Sequence, residues 1–139
     1  VCSSDLLTRT MYLGKPKPEI TDLVAVIVEG VDLALETARP GATCEEVEAV
    51  WQKHLNSHGY EKKSRVGYSI GLNYPPDWGE RTASLRAGDH TVLQAGMCFH
   101  FQSGVWLEDY GAASSEPFEV TDRGGVRLSN AQRGLIVID

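Results

Sequence analysis

Apolar side chains recur at a helical spacing in two stretches of the N-terminal half. The first stripe occupies positions 20–38 and follows Pro18, a residue that suits the first turn of a helix. We expect this helix to end at Arg39-Pro40-Gly41, because proline cannot continue it and glycine accepts a left-handed turn. A capping box over 43–46 begins a second helix, which ends at Gly59. The pattern therefore predicts two amphipathic helices.

The rest of the chain has the pattern of strands and turns. Short apolar, β-branched or aromatic runs predict strands at 8–13, 65–72, 97–101, 105–107, 116–120, 126–128 and 135–138. The proline-rich segment 74–79 is typical of a rigid turn, and 122–125 of a hairpin turn. Two helices combined with an antiparallel sheet make an α+β domain.

Composition narrows the functional classes. A chain of 139 residues is sufficient for one domain, and its net charge of −6 does not suit a phosphate backbone, so we expect no nucleic-acid partner. No apolar run approaches the roughly 18–20 residues that cross a bilayer, so we expect no membrane partner. The three cysteines form no CxxC pair and fit free thiols in a reducing compartment, which predicts a cytoplasmic location.

The first residues have an unusual composition. Val1 is not a plausible initiator, and the segment that follows it is typical of translated sequencing adapter. We therefore expect residues 1–7 to be non-native or linker sequence. The domain then occupies residues 8–139 and lacks its N-terminal part.

His100 is the most informative polar residue. It interrupts an apolar strand, where alternation places Cys98, His100 and Gln102 on one face and Phe99 and Phe101 on the other. Polar side chains on one face of a buried sheet cost free energy unless they are partnered. The pattern thus indicates either a satisfied core network or a functional site.

Two other polar groups have weaker signals. His54 and His58 lie four residues apart on the second helix without an accompanying acidic motif, so we expect a solvated helix face. The turn 77–81 combines carboxylates, an indole and a guanidinium. It is either a proline-fixed loop with a solvated ion pair or part of a site.

The order of these pieces resembles a known family. Thr8-Arg9-Thr10, then 38–41, 67–71, 92–97 and 118–121, is similar to the C-terminal half of the pita-bread fold. That fold is shared by creatinase, aminopeptidase P, prolidase and methionine aminopeptidase. The resemblance is strongest to ectoine hydrolases, through residues 65–81 and Phe99-His100-Phe101. It implies two helices packed on a curved antiparallel sheet.

The resemblance also implies where metal ligands would lie. Metallopeptidases of this fold hold two divalent ions with two aspartates, one histidine and two glutamates. The first aspartate would precede this chain, and the other four positions match Leu6, Tyr68, Gln102 and Ser115. Neutral phenol, amide and hydroxyl groups are poor ligands for hard dications, so we expect no metal and no other cofactor.

The resemblance therefore implies metal-independent, ring-opening hydrolysis of ectoine or a similar small cyclic amidine. Such chemistry needs a proton-transfer group, carboxylates that face a cation, and aromatic rings that stack on it. The predicted catalytic residues are His100, Glu80 and Glu116, and the predicted substrate-binding residues are Tyr68, Trp78, Gln102, Trp106 and Asp109. The partner would be a small molecule, and the full-length protein would be a homodimer.

Two alternatives stay open at this point. One is a metal-dependent Xaa-Pro aminopeptidase or dipeptidase of the same fold. The other is a non-catalytic pita-bread protein that binds a partner, since such proteins also lose their metal ligands. In either enzymatic case, we expect the 139-residue chain alone to be inactive, because the family builds its site between two related halves.

Overall fold

Two helices cover one face of an antiparallel sheet in the computed structural model, which describes residues 6–73 and 79–139. Helix α1 spans Pro18–Thr37 and helix α2 spans Cys44–Ser57. The capping box is formed as predicted: Glu46 N donates to Thr43 Oγ1 at 3.3 Å, and Thr43 N donates to Glu46 Oε2 at 2.7 Å. The predicted positions of both helices are confirmed.

The strands assemble into one five-stranded sheet and two small pairs. In chain order the strands of the described residues are β1 (Met11–Leu13), β2 (Gly67–Ile70), β3 (Gly79–Leu85), β4 (Cys98–Phe101), β5 (Gly104–Trp106), β6 (Gly111–Ala113), β7 (Glu116–Thr121), β8 (Gly124–Arg127) and β9 (Ile136–Ile138). The main sheet has the order β3-β2-β4-β7-β8 with antiparallel neighbours. This confirms the predicted α+β class.

Two strands escaped the sequence pattern. The sheet continues through β3, for which only a turn at 74–79 was predicted; residues 74–78 of that turn lie outside the described residues. Because β3 is an edge strand, its centre is polar and exposed, and only Ala83 and Leu85 show the alternation of a strand. Strand β6 consists of Gly111, Ala112 and Ala113, which lack the β-branched or aromatic side chains that identify a strand.

The two small pairs lie outside the main sheet. Strand β1 pairs in parallel with β9, from Met11 opposite Ile136 to Leu13 opposite Ile138. This parallel pair departs from the purely antiparallel prediction, and it joins the first and last described strands of the chain. Strand β5 pairs with β6 instead of joining the five-stranded sheet.

The hydrophobic core lies between the helices and one face of the sheet. Phe99 and Phe118 are stacked with ring centroids 5.7 Å apart, and Trp51 of α2 meets Phe101 edge-on at 6.0 Å. The predicted alternation along β4 therefore directs Phe99 and Phe101 toward the helices. It leaves His100 on the opposite face of the sheet.

No helix of the described residues combines the length and apolar character needed to cross a bilayer. Cys44 is a buried thiol at the start of α2, and burial, with a smaller contribution from Asp89, raises its pKa to about 12. This thiol is therefore protonated and unreactive at neutral pH.

Close packing of the two helices depends on Gly30. A Cβ atom there would lie 2.8 Å from Trp51 Cδ1 and 3.0 Å from His54 Cδ2. His54 is consequently packed between the helices, with only 11% of its side chain exposed, so the predicted solvated face is wrong for this residue. The helix faces meet because α1 has no side chain at this position.

We expect Gly30→Ala to lower the free energy of unfolding by roughly 1 kcal/mol, because overpacking outweighs the gain in helix propensity. Urea denaturation measures the change. Ala25→Gly, at an exposed position of the same helix, serves as the control for propensity alone. A Gly30→Ala protein more stable than wild type would contradict the packing argument.

Candidate active site

The site centres on Tyr68 and His100, which face each other across β2 and β4. They are register partners in the antiparallel pair and therefore project from the same face of the sheet. Tyr68 Oη and His100 Nδ1 are 2.8 Å apart, and the two rings meet edge-on with centroids separated by 5.2 Å. The sheet register thus pairs a phenol with an imidazole.

Burial determines the charge of this pair. His100 is only 4% exposed, and desolvation lowers the pKa of its imidazole to about 4. The imidazole is therefore neutral at pH 7. Its Nε2 atom is buried and has no hydrogen-bond partner in the described part of the chain. One ring nitrogen is thus held by Tyr68, while the other is buried with its hydrogen-bonding capacity unused among the described residues.

A cation lies beside the same pair. The guanidinium carbon of Arg65 is 4.7 Å from the centroid of the Tyr68 ring, a cation–π distance. Arg65 Nη1 also donates to Ser84 Oγ at 3.3 Å. Ser84 is the β3 register partner of Tyr68, so the arginine spans the two strands.

Leu6 and Ser115, which the resemblance matches to metal-ligand positions, are in contact near the start of the described chain. Ser115 Oγ accepts from Thr8 N at 2.7 Å and donates to the Leu6 carbonyl at 3.4 Å. Ser115 N in turn donates to the Thr8 carbonyl at 3.0 Å. The predicted non-native segment therefore has a described contact at Leu6, whereas residues 1–5 lie outside the described residues.

The donor set at these positions does not fit a pair of divalent ions. Leu6 contributes no ligating side chain, the Ser115 hydroxyl is engaged by backbone, Tyr68 offers a phenol bonded to His100, and Gln102 is an exposed amide. Within residues 6–73 and 79–139 no group of three or more His, Cys, Asp or Glu side chains could hold a metal.

Glu116 has a different environment from the one that a catalytic carboxylate needs. Its side chain is fully buried, with Oε1 2.7 Å from Arg9 Nη2 and Oε2 3.2 Å from Arg127 Nε. The second contact lacks hydrogen-bond geometry and is purely electrostatic. The register partner of Glu116 on β4 is Phe101, so the carboxylate lies on the helix side of the sheet, away from His100. This placement favours a structural role.

The other predicted carboxylates are also separate from the Tyr68–His100 pair. Glu80 lines a mostly apolar cavity of about 370 Å³, and its Oε1 accepts from Asn73 N at 2.8 Å. Neither Tyr68 nor His100 is among the residues that line this cavity. Asp109 lines a cleft beside Tyr110 and α1.

Trp106, one of the two tryptophans predicted to stack on the substrate, is not brought to the pair either. Trp106 is 74% exposed and lines a groove with Lys62 and Gly104. Trp78 lies outside the described residues. Of the eight residues predicted for the site, the structure joins only Tyr68 and His100 directly, among the residues it describes.

The chain can now be compared with known proteins. The model of metallopeptidase family M24 matches residues 4–132. This chain belongs to family M24. The assignment agrees with the fold, which is the C-terminal half of a pita-bread domain.

Relatives of the M24 chain include both hydrolases and peptidases. It is 44% identical over 133 residues to an uncharacterized hydrolase/peptidase, y4tM, of Sinorhizobium fredii, covering 96% of this chain and 34% of that protein. It is 39% identical to the ectoine hydrolase of Halomonas elongata over 94% of this chain and 33% of that protein. The chain thus spans about a third of the length of these curated relatives.

Solved structures support the same fold. The dipeptidase PepE from Mycobacterium ulcerans superposes with a TM-score of 0.85 at 28% identity, covering 94% of this chain and 35% of that one. In sequence, the Xaa-Pro dipeptidase of Pyrococcus horikoshii is another relative, 26% identical over 94% of this chain and 36% of that protein. The M24 scaffold is therefore shared by relatives with different printed activities.

Sequence reasoning missed Arg65 as part of this M24 site. The available signal was a cation three residues before Tyr68, at the start of a predicted strand. That spacing alone did not show that the guanidinium folds back over the Tyr68 ring. The contact became visible only from the path of the chain into β2 and the position of β3.

Proposed function

We propose that the protein carrying this chain is a metal-independent hydrolase that opens ectoine or a similar small cyclic amidine at a C–N bond. The observation that carries the proposal is the Tyr68–His100 pair, a buried neutral imidazole with one unpartnered nitrogen, held by a phenol. The 39% identity to an ectoine hydrolase supports the substrate class. The neutral donor set supports independence from metal.

The reaction adds water to the amidinium carbon. The attacking water loses a proton as its oxygen bonds to that carbon, and the ring C–N bond then breaks with its electron pair remaining on nitrogen. That nitrogen takes up a proton, and the new hydroxyl group loses its remaining proton as the amide carbonyl forms, so the ring opens to a single product that carries an amide and an amine. For ectoine the product is an N-acetyl-diaminobutyrate.

In this proposal His100 moves the proton. A neutral imidazole can accept a proton at Nε2 from the water and return it to the leaving nitrogen. Acceptance at Nε2 requires the tautomer that carries its proton on Nδ1, and in that tautomer Nδ1 donates to Tyr68 Oη, which orients the ring. The low exposure of His100 limits the access of bulk water once a substrate covers the face.

The test uses the longest natural protein that contains this sequence, dialysed against a chelator and mixed with ectoine. Product is followed by NMR, and we expect N-acetyl-diaminobutyrate to appear without added metal. Cleavage of an Xaa-Pro dipeptide only after metal addition would instead support the metal-dependent peptidase. No turnover in either condition would support a non-catalytic binding protein.

Substitution of the pair makes the proposed roles testable. We expect His100→Gln to lower kcat by about 100- to 10,000-fold, the usual contribution of general acid–base catalysis. Tyr68→Phe should cost less, since it removes the orienting hydroxyl but not the imidazole. His90→Gln, at an exposed histidine paired with Glu45, is the matched control and should leave kcat unchanged. Wild-type kcat in His100→Gln would exclude the proton-transfer role.

A further inference from the structure

Arg65 has the environment of a ligand-binding residue. Its side chain is exposed, yet its guanidinium is held over the ring of Tyr68 at 4.7 Å. Stacking on an aromatic face restricts the orientation of the guanidinium and leaves the N–H groups at its edge available. The charge is thus pre-positioned beside the Tyr68–His100 pair.

Most of the hydrogen-bonding capacity of Arg65 is unused in the described chain. A guanidinium has five N–H donors, and the described contact is one hydrogen bond of 3.3 Å to a serine hydroxyl. No described carboxylate forms an ion pair with it. By contrast, Arg9 holds Glu116 at 2.7 Å, and Arg133 binds both carboxylate oxygens of Asp32.

We propose that Arg65 binds the carboxylate of the substrate and thereby orients it on the Tyr68–His100 pair. The inference rests on the proposed function and adds the group that recognises the acidic end of the substrate. A guanidinium edge matches a carboxylate with two parallel hydrogen bonds, which fixes orientation as well as position. Tyr68 contacts both Arg65 and His100, so the recognition group and the proton-transfer group are neighbours of the same residue.

The experiment measures binding, so it does not depend on turnover. Isothermal titration is carried out on the longest natural protein containing this sequence, with ectoine, its carboxamide analogue and glycyl-proline as probes. The variants are Arg65→Gln, which removes the charge, and Arg65→Lys, which keeps the charge but loses the planar donor edge. Arg123→Gln, at the exposed turn before β8, is the matched control. Circular dichroism melting checks that each variant is folded.

We expect Arg65→Gln to weaken binding of ectoine by about 10- to 100-fold, as for loss of a charge-assisted hydrogen-bonded pair. Arg65→Lys should lose less, and Arg123→Gln nothing. The carboxamide should bind wild type and Arg65→Gln alike, because it offers no negative charge. This difference between probes would not arise from a merely structural role of the arginine.

The outcomes separate this proposal from the proposed function. If binding of glycyl-proline depends on Arg65 and ectoine does not bind, the role of Arg65 is supported and the proposal of a cyclic amidine substrate is wrong. If ectoine is bound and hydrolysed equally by wild type and Arg65→Gln, the arginine assignment fails and the proposed function stands. Failure of both carboxylate probes to bind wild type also overturns the assignment.

Discussion

Glu116→Gln is expected to lower the free energy of unfolding by about 3–5 kcal/mol, the usual cost of breaking a buried ion pair by removing one partner. The carboxylate has no exposed surface and lies between Arg9, whose side chain is 8% exposed, and Arg127. An amide keeps the shape of the side chain but leaves the buried Arg9 guanidinium without a counter-charge. A loss of this size can unfold a domain of ordinary stability.

Urea denaturation of wild type and variant at pH 7 measures this loss. Glu119→Gln, on the same strand but partly exposed, is the matched control and should change stability by less than about 0.5 kcal/mol. Arg9→Gln combined with Glu116→Gln should cost less than the two single changes together, because the residues act on each other. Equal effects of Glu116→Gln and Glu119→Gln would show that the pair contributes no specific stability.

The arginine of this ion pair also holds two other parts of the chain together. Arg9 Nη1 donates to the Ser115 carbonyl at 2.6 Å, and Arg9 Nε donates to the Gln132 carbonyl at 2.6 Å. One side chain therefore ties the N-terminal segment to β7 and to the segment before β9. The catalytic role predicted for Glu116 remains a prediction, and its buried position gives a physical reason to expect a structural effect first.

Stability should fall as the pH is lowered from about 6.5 to 4, because His100 is neutral when buried and becomes charged on unfolding. Its pKa is lowered from 6.5 to about 4 by desolvation in the folded chain. Between these values the unfolded state binds more protons, so the free energy of unfolding rises with pH. The contribution of His100 is fully present above pH 6.5, and its loss toward pH 4 is on the order of 3 kcal/mol.

The measurement compares wild type with His100→Gln by urea denaturation at several pH values. Protonation of carboxylates in acid also lowers the free energy of unfolding. Asp89 is an example, because hydrogen bonds from Thr91 and Ser84 lower its pKa despite desolvation. Only the difference between wild type and variant is therefore informative. We expect that difference to shrink as the pH falls through this range. His90→Gln, at an exposed histidine, should follow wild type. Parallel curves for wild type and His100→Gln would contradict burial of a neutral imidazole.

Local signals were sufficient for much of the fold. The helices could be predicted because apolar spacing, Pro18 and the Thr43–Glu46 capping box all act within a few residues. Alternation along β4 likewise predicted that Phe99 and Phe101 lie on one face of the strand and His100 on the other. The match of Tyr68, Gln102 and Ser115 to metal-ligand positions rests on the order of motifs and stays a prediction.

Tertiary structure alone decided which of the polar residues meet. Tyr68 and His100 are 32 residues apart, and only the register of β2 against β4 places a phenol 2.8 Å from an imidazole. Register also placed Glu116 opposite Phe101, within a buried ion pair, although its sequence neighbourhood gave no sign of burial. Strand β3 escaped prediction because its polar, exposed centre lacks alternation, and the Arg65–Tyr68 contact because Arg65 also bonds to Ser84 of that strand. Such pairings depend on long-range contacts and on burial by other elements, whereas a sequence pattern reports only neighbouring residues.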